Sequence, residues 1–231
     1  MNFSKNIPSA IISAFLFLIM AFSIQVQAQD FEGVIHYQFA EAQNPNMSNI
    51  AYMIKGDNIR MELSDNNQMG SILYLPNESK FVIIMESMKS YMSVDTDKMD
   101  SKTNDYSGKW EDSEMAETGT TKTIAGHSCE VWKVTDSSGE TLSMCVAKGL
   151  GTFMSPGNPM AKKSAPDWAK KVIAEGYMPL EVIEETDGSK KVQMRATKIE
   201  EKSLSNDLFT IPDGYKDMSS MMKQMMNQQQ N

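Results

Sequence analysis

Two cysteines, two histidines and an excess of methionine are where this 231-residue chain could do chemistry. Cys129 and Cys145 are its only thiols. Redox pairs usually take the form Cys-x-x-Cys, so this wider spacing points to a structural disulfide. His36 and His127 stand apart, and two of each residue type are too few for a Cys/His zinc cluster. No Gly-x-Ser-x-Gly, His-Glu-x-x-His, P-loop or Gly-x-Gly-x-x-Gly occurs. Glu184 and Glu185 lie one turn away from Lys190 and Lys191, a pattern that predicts cross-strand ion pairs instead of an acid–base couple. These residues predict a protein that is not an enzyme, with no catalytic residue and no cofactor.

Methionine is the unusual component, at 21 residues. Met218, Met221, Met222, Met225 and Met226 fall at the spacing of one helical face. Thioethers are soft ligands that select Cu(I), and the first four are the candidate ligands of a metal reading. No His or Cys accompanies them, and such a stripe also serves as a packing surface. A second group (Met53, Met61, Met85, Met92, Met144 and Met194) falls in strand-like segments. Flexible, polarizable Met there gives an interior more adaptable than Val or Ile would.

Charge and targeting set the compartment. Lys plus Arg number 22 against 30 Asp plus Glu, a net charge of −8, which argues against nucleic acid as a partner. Residues 1–28 read as a cleavable signal: Lys5, an apolar run from Ala10 to Ile24, then Val26 and Ala28 before the cut. That run is short for a membrane span, so the expectation is an exported, periplasmic or extracellular chain, soluble after cleavage and not an integral membrane protein. Such a compartment permits the disulfide.

The elements that must position these residues are mostly strands. Phe31, Ile35, Tyr37 and Phe39 alternate to one face, as do Ile50, Tyr52 and Ile54, then Ile59, Met61 and Leu63 with Arg60 and Glu62 outward. Ser71–Leu75, Phe81–Met85 and Ser90–Val94 continue the run, the second apolar on both faces like a central strand. Short strands and tight turns without intervening helices predict an antiparallel meander within one domain, 29–216. Residues 100–123, acidic and poor in apolar side chains, read as a mobile loop.

Two strands around Asp136–Gly139 form the cysteine hairpin. With Cys129 facing Cys145, Val131 faces Ser143 and Lys133 faces Thr141. The sulfurs then share a more polar face, while Trp132 and Val134 oppose Leu142, Met144 and Val146 on the other. Ser164-Ala165-Pro166-Asp167 opens a helix that Gly176 closes, its stripe including Trp168 and Val172. Leu180 and Val182, a turn at 186–189, then Val192, Met194 and Ala196 form another hairpin. Phe209–Pro212 closes the sheet, and the Met-rich tail, 217–231, follows as a short amphipathic helix.

Three stretches carry a family resemblance: Tyr52–Met61, Lys122–Trp132 and Phe209–Tyr215. Their order resembles a family of exported bacterial proteins of unknown function, itself similar to the LolA/LolB-type lipoprotein carriers. The resemblance implies a mainly β fold, a curved antiparallel half-barrel with a helix across its concave face. An apolar concavity of that kind can hold acyl chains, and Trp132, Leu142, Met144, Trp168 and Val172 are the candidate lining residues. Three functions stand open. They are an exported non-enzymatic protein binding a lipid or acyl chain, an envelope protein–protein interaction module with a filled core, and Met-rich Cu(I) binding.

Overall fold

The computed structural model describes residues 31–39, 49–63, 70–96, 110, 113–154 and 167–220. The proposed signal, Ser164 to Pro166 and most of the Met-rich tail lie outside them. Among the described residues, twelve strands form one sheet. In chain order they are β1 (Gly33–Phe39), β2 (Asn49–Lys55), β3 (Asn58–Leu63), β4 (Gly70–Leu75), β5 (Lys80–Met85) and β6 (Ser90–Asp95). Then come β7 (Glu114–Ile124), β8 (His127–Thr135), β9 (Thr141–Lys148), β10 (Tyr177–Thr186), β11 (Ser189–Glu201) and β12 (Lys216–Asp217). Their spatial order is β12-β6-β5-β4-β3-β2-β1-β11-β10-β9-β8-β7. Two antiparallel meanders therefore meet where β1 pairs with β11.

Alternation decides which side chains are buried together. Ile35, Tyr52 and Met61 are successive cross-strand partners and belong to the largest apolar cluster. One residue out of phase, Val34, Leu73 and Val82 build a second cluster on the opposite face. β5 is thus apolar on both faces, as expected, although it stands third from one edge of the sheet and not at its centre. Its second face is covered by the C-terminal segment, through Leu204, Phe209 and, less deeply, Leu208 and Ile211. Phe209 lies in a 3-10 turn (Asn206–Phe209), so the sheet is closed by β12 beside β6 and not by residues 209–212. Arg60 does not point to solvent. Its Nη1 donates to the Leu208 carbonyl at 3.0 Å and its Nε to Glu62 at 2.9 Å, under that same segment.

Curvature has local causes. Register shifts at His36/Tyr37, Pro179/Glu181 and Val182/Ile183 fall in three consecutive ladders, and such bulges bend and twist a sheet. The chain after β9 runs over the inner face: Thr152 lies four residues beyond Lys148, and its carbonyl accepts from the Tyr52 hydroxyl on β2, four strands away. The sheet bends around this segment, with the largest cluster on the inside.

Two expectations need correction. Residues 114–123 are not a loop but part of β7, an edge strand paired with β8. From Ala116 to Thr123 every residue is exposed, so no apolar alternation marks it. In the cysteine hairpin, Val131 and not Cys129 faces Cys145, and Lys133 faces Ser143. The register differs by two residues because Thr135 pairs with Thr141 around a longer loop. Asp136 organises that loop by accepting from Ser138 and Glu140 amides.

Candidate functional site

The cysteines are joined, with Cα atoms 5.3 Å apart, and both are buried in the large cluster. A two-residue change of register preserves the face, so the separation of sulfurs from tryptophan survives the shift. Trp132, Leu142, Met144 and Val172 come together on the other face with Val134, Val146 and Tyr177, and Trp168 packs against them. The helix α1 (Asp167–Ala174) supplies Val172 and Trp168. It covers the face opposite the disulfide and the large inner cluster. The five candidate lining residues are thus neighbours, three on the sheet and two on the helix that packs over them, but the helix does not cross the inner face.

This patch is tightly occupied by its own side chains. The Trp132 and Tyr177 rings meet edge-on with centroids 4.5 Å apart. Lys171 Nζ sits 5.2 Å from the Trp132 centroid and 2.8 Å from Glu117 Oε1. Hydrogen bonding to Glu117 raises the Lys171 pKa, so the ammonium stays charged over the ring. The Trp168 indole donates to the Trp110 carbonyl at 3.1 Å. Trp132, Leu142, Met144 and Val172 are each at most 9% exposed.

The inner face is built differently. Tyr37 and Tyr52 cross edge-on at 6.1 Å, and Phe153 stacks on Tyr52 at the same distance. The Tyr37 hydroxyl donates to Pro179 O at 2.9 Å. The Tyr52 hydroxyl donates to Thr152 O at 2.9 Å and accepts from the Met154 amide at 2.7 Å. Burial pushes both phenols well above the ordinary tyrosine pKa, so they remain neutral donors. Residues 149–154 form a strap gripped by one side chain. Gly151 takes φ +81° there, and a Cβ at this position would come within 3.0 Å of Ile54. Around the fully buried layer lie half-buried apolar side chains, among them Phe39, Leu63, Ile72, Ile83, Ile124 and Val131.

One polar row crosses the disulfide. Lys122 faces Cys129, the disulfide joins Cys129 to Cys145, and Glu181 faces both Cys145 and Arg195. Lys122 Nζ reaches Glu181 Oε1 at 2.9 Å, spanning β8 and β9. Arg195 Nε donates to Glu181 Oε2 at 2.8 Å, and Nη2 contacts the same oxygen. Glu181 is 2% exposed. Its burial alone raises the carboxyl pKa, but hydrogen bonds and charge from Lys122 and Arg195 outweigh that and hold it below the ordinary value. Sequence reasoning missed this group. A lone Glu inside the apolar run Met178–Ile183 was the available signal, since a buried carboxylate demands partners.

The remaining chemistry-bearing residues have separate partners. His36 Nε2 lies 2.9 Å from Glu200 Oε2 on the surface. His127 begins β8, its ring Nδ1 beside Ala125 O at 3.2 Å. Glu185 pairs with Lys190 at 3.4 Å, as the turn pattern predicted, while Glu184 accepts from Gln193. Met218 donates its amide to Tyr91 O at 2.8 Å. Met221, Met222 and Met225 lie outside the described residues. Among the described residues, no group of three or more His, Cys, Asp or Glu could hold a metal ion. Nor is any helix among them long and apolar enough to cross a membrane.

The sheet, its disulfide hairpin and the Leu204–Tyr215 segment that covers one face form the unit that the family comparison matches. The chain belongs to the family described as "Domain of unknown function (DUF4412)", whose model matches residues 31–215. No curated protein matches the sequence. Solved structures of similar shape include PNGF-II, at 14% identity and TM-score 0.42, covering 85% of this chain and 32% of that one. This chain therefore corresponds to about a third of PNGF-II. An uncharacterized conserved protein from Thermus thermophilus shares 7% identity at TM-score 0.46, covering 89% and 98% of the two chains. MucB shares 10% identity at TM-score 0.38, covering 89% of this chain and 64% of its own.

Proposed function

We propose that this chain is an exported, non-enzymatic binding protein that holds a hydrophobic ligand, a lipid or acyl chain, against the inner face of its curved sheet. The observation that supports it is the border of half-buried apolar side chains around Tyr37 and Tyr52, crossed by a strap fixed through one tyrosine hydroxyl. Each methylene placed there contributes about 0.8 kcal/mol by leaving water. Binding of this kind needs no covalent step. The helix side carries a second reading. Trp132, Leu142, Met144 and Val172 fill their own space, as in an envelope interaction module that works through its surface.

Native mass spectrometry of the mature chain, purified from its own envelope, distinguishes these readings. A co-purifying lipid or fatty-acid mass is the expected result. The bare polypeptide mass, even after incubation with total envelope lipid, overturns the ligand reading and leaves the interaction module.

A further inference from the structure

We propose that the Lys122–Glu181–Arg195 group is the headgroup end of the binding face and selects an anionic amphiphile, one acyl chain carrying a carboxylate or phosphate. The inference rests on the hydrophobic-ligand reading and adds the charge of the ligand to it.

Charge arithmetic is the starting point. One carboxylate and two cations leave a surplus of one positive charge, in a chain whose net charge is −8. A single cation would suffice to neutralise Glu181. The second is held in place by the first ion pair, which fixes both cations with little further loss of side-chain freedom. Glu181 is buried, whereas the Lys122 and Arg195 side chains are 42% and 50% exposed. Their remaining donors are open: among the described residues, Arg195 Nη1 has no hydrogen-bond partner, and Lys122 bonds only to Glu181.

Position supplies the rest. Ile124 shares the Lys122 face of β7, two residues along, and Val131 stands opposite Cys145 on β8. Both are half-buried and pack against the large cluster. An anionic head bridging the Lys122 ammonium and the Arg195 guanidinium at Glu181 thus lies beside Ile124 and Val131, at the margin of the inner face, since Arg195 alternates with the inner Met194 and Ala196 and pairs with exposed Gln38. The disulfide beneath pins β8 to β9, so the row that carries the cations is rigid at its middle. Preorganised, partly desolvated cations beside an apolar surface favour an anion over a neutral head of equal chain length.

Calorimetric titration of the full mature chain at low ionic strength tests this with four probes of one chain length: dodecanoate, dodecyl phosphate, dodecanol and dodecyltrimethylammonium. Both anions are expected to bind about tenfold more tightly than dodecanol, with the cation weakest, and the preference should shrink in added salt. Comparison of the two anions assigns carboxylate or phosphate as the better head. Arg195→Gln should lower anion binding about tenfold relative to dodecanol, and Arg195→Lys should recover most of that difference. Equal binding of dodecanol and the anions by the unaltered chain overturns the headgroup inference while sparing the hydrophobic-ligand reading. Failure of all four probes to bind removes both, and that comparison needs no variant to fold.

Discussion

Lys122 on β7 and Glu181 on β10 have two strands between them, and their side chains still meet at 2.9 Å across the Cys129–Cys145 disulfide. One covalent and one ionic link therefore tie the outer strands β7–β10 at the same level. Glu181 is the shared acceptor of this row, so neutralising it removes three charge-assisted contacts together. Glu181→Gln should cost about 1–2 kcal/mol, because the two half-exposed cations recover hydration when released. Urea unfolding at pH 7 measures it, and an unchanged midpoint contradicts the buried-acceptor role.

Acid sensitivity follows from two carboxylates. Glu181 sits below the ordinary value of 4.5 despite its burial, owing to Lys122 and Arg195. Glu200 is brought down to about 2, mainly by the Lys198 hydrogen bond and then by His36. Both folded-state values lie below the unfolded ones, so their contributions are complete above pH 4.5. They decline as pH falls through the folded values. Stability measured in urea between pH 6 and pH 2 should drop over the lower part of that range. The slope should be shallower in Glu181→Gln, and identical slopes in the two proteins count against the assignment.

The strap depends on one oxygen. Tyr52→Phe keeps the ring that stacks on Phe153 but strips partners from Thr152 O and the Met154 amide. A loss of about 1–2 kcal/mol is expected, since the Met154 amide loses its bond in a buried setting, whereas Thr152 is exposed and its carbonyl can turn to water. Hydrogen exchange should show the Met154 amide deprotected well before those of β1 and β2. Retained protection at Met154 would mean that the strap is held by packing alone.

Much of the left half of this sheet could be read directly. In β1 to β6 one face is buried by the core, and the alternation of Phe31, Ile35 and Tyr37 or of Ile50, Tyr52 and Ile54 reports that face without ambiguity. The second face was less legible. Arg60 looks solvent-directed by its charge, yet its guanidinium anchors a segment nearly 150 residues later, and such long-range coverage leaves no local mark. β7 was hidden for a related reason: an edge strand exposed on both sides has nothing to alternate. The cysteine hairpin shows what periodicity cannot decide. A two-residue slip keeps every face, so the loop held by Asp136 sets the register. Of the site, the sequence grouped Trp132, Leu142, Met144, Trp168 and Val172 but set them on the concave face, whereas they pack under the helix on the other one, and the ion row was not seen, because Glu181 acquires meaning only beside Lys122 and Arg195.

Strand β1 offers a steric test of the junction between the two meanders. A Cβ on Gly33 would lie 2.1 Å from the Glu200 carbonyl oxygen, a backbone atom fixed by the β1–β11 ladder. Gly33→Ala should therefore destabilise by about 2–3 kcal/mol, at the severe end for overpacking. Thermal unfolding reads the effect, and a wild-type Tm would show that β11 can give way here.

The disulfide is expected to contribute about 3 kcal/mol for a loop of this size. Alkylation of unreduced, denatured mature protein should label no thiol. The double variant Cys129→Ser, Cys145→Ser should unfold at correspondingly lower urea. Two labelled thiols, or an unchanged midpoint, speak against the covalent tie.

Methyl-resolved NMR during titration with dodecanoate tests most directly whether a ligand occupies the inner face. Saturable shifts at Ile72, Ile83, Ile124 and Val131, with Val34, Val82 and Ile84 on the opposite face left in place, are the predicted result. No saturable change at the inner methyls, or changes confined to Val172 and Leu142 beneath the helix, would contradict it.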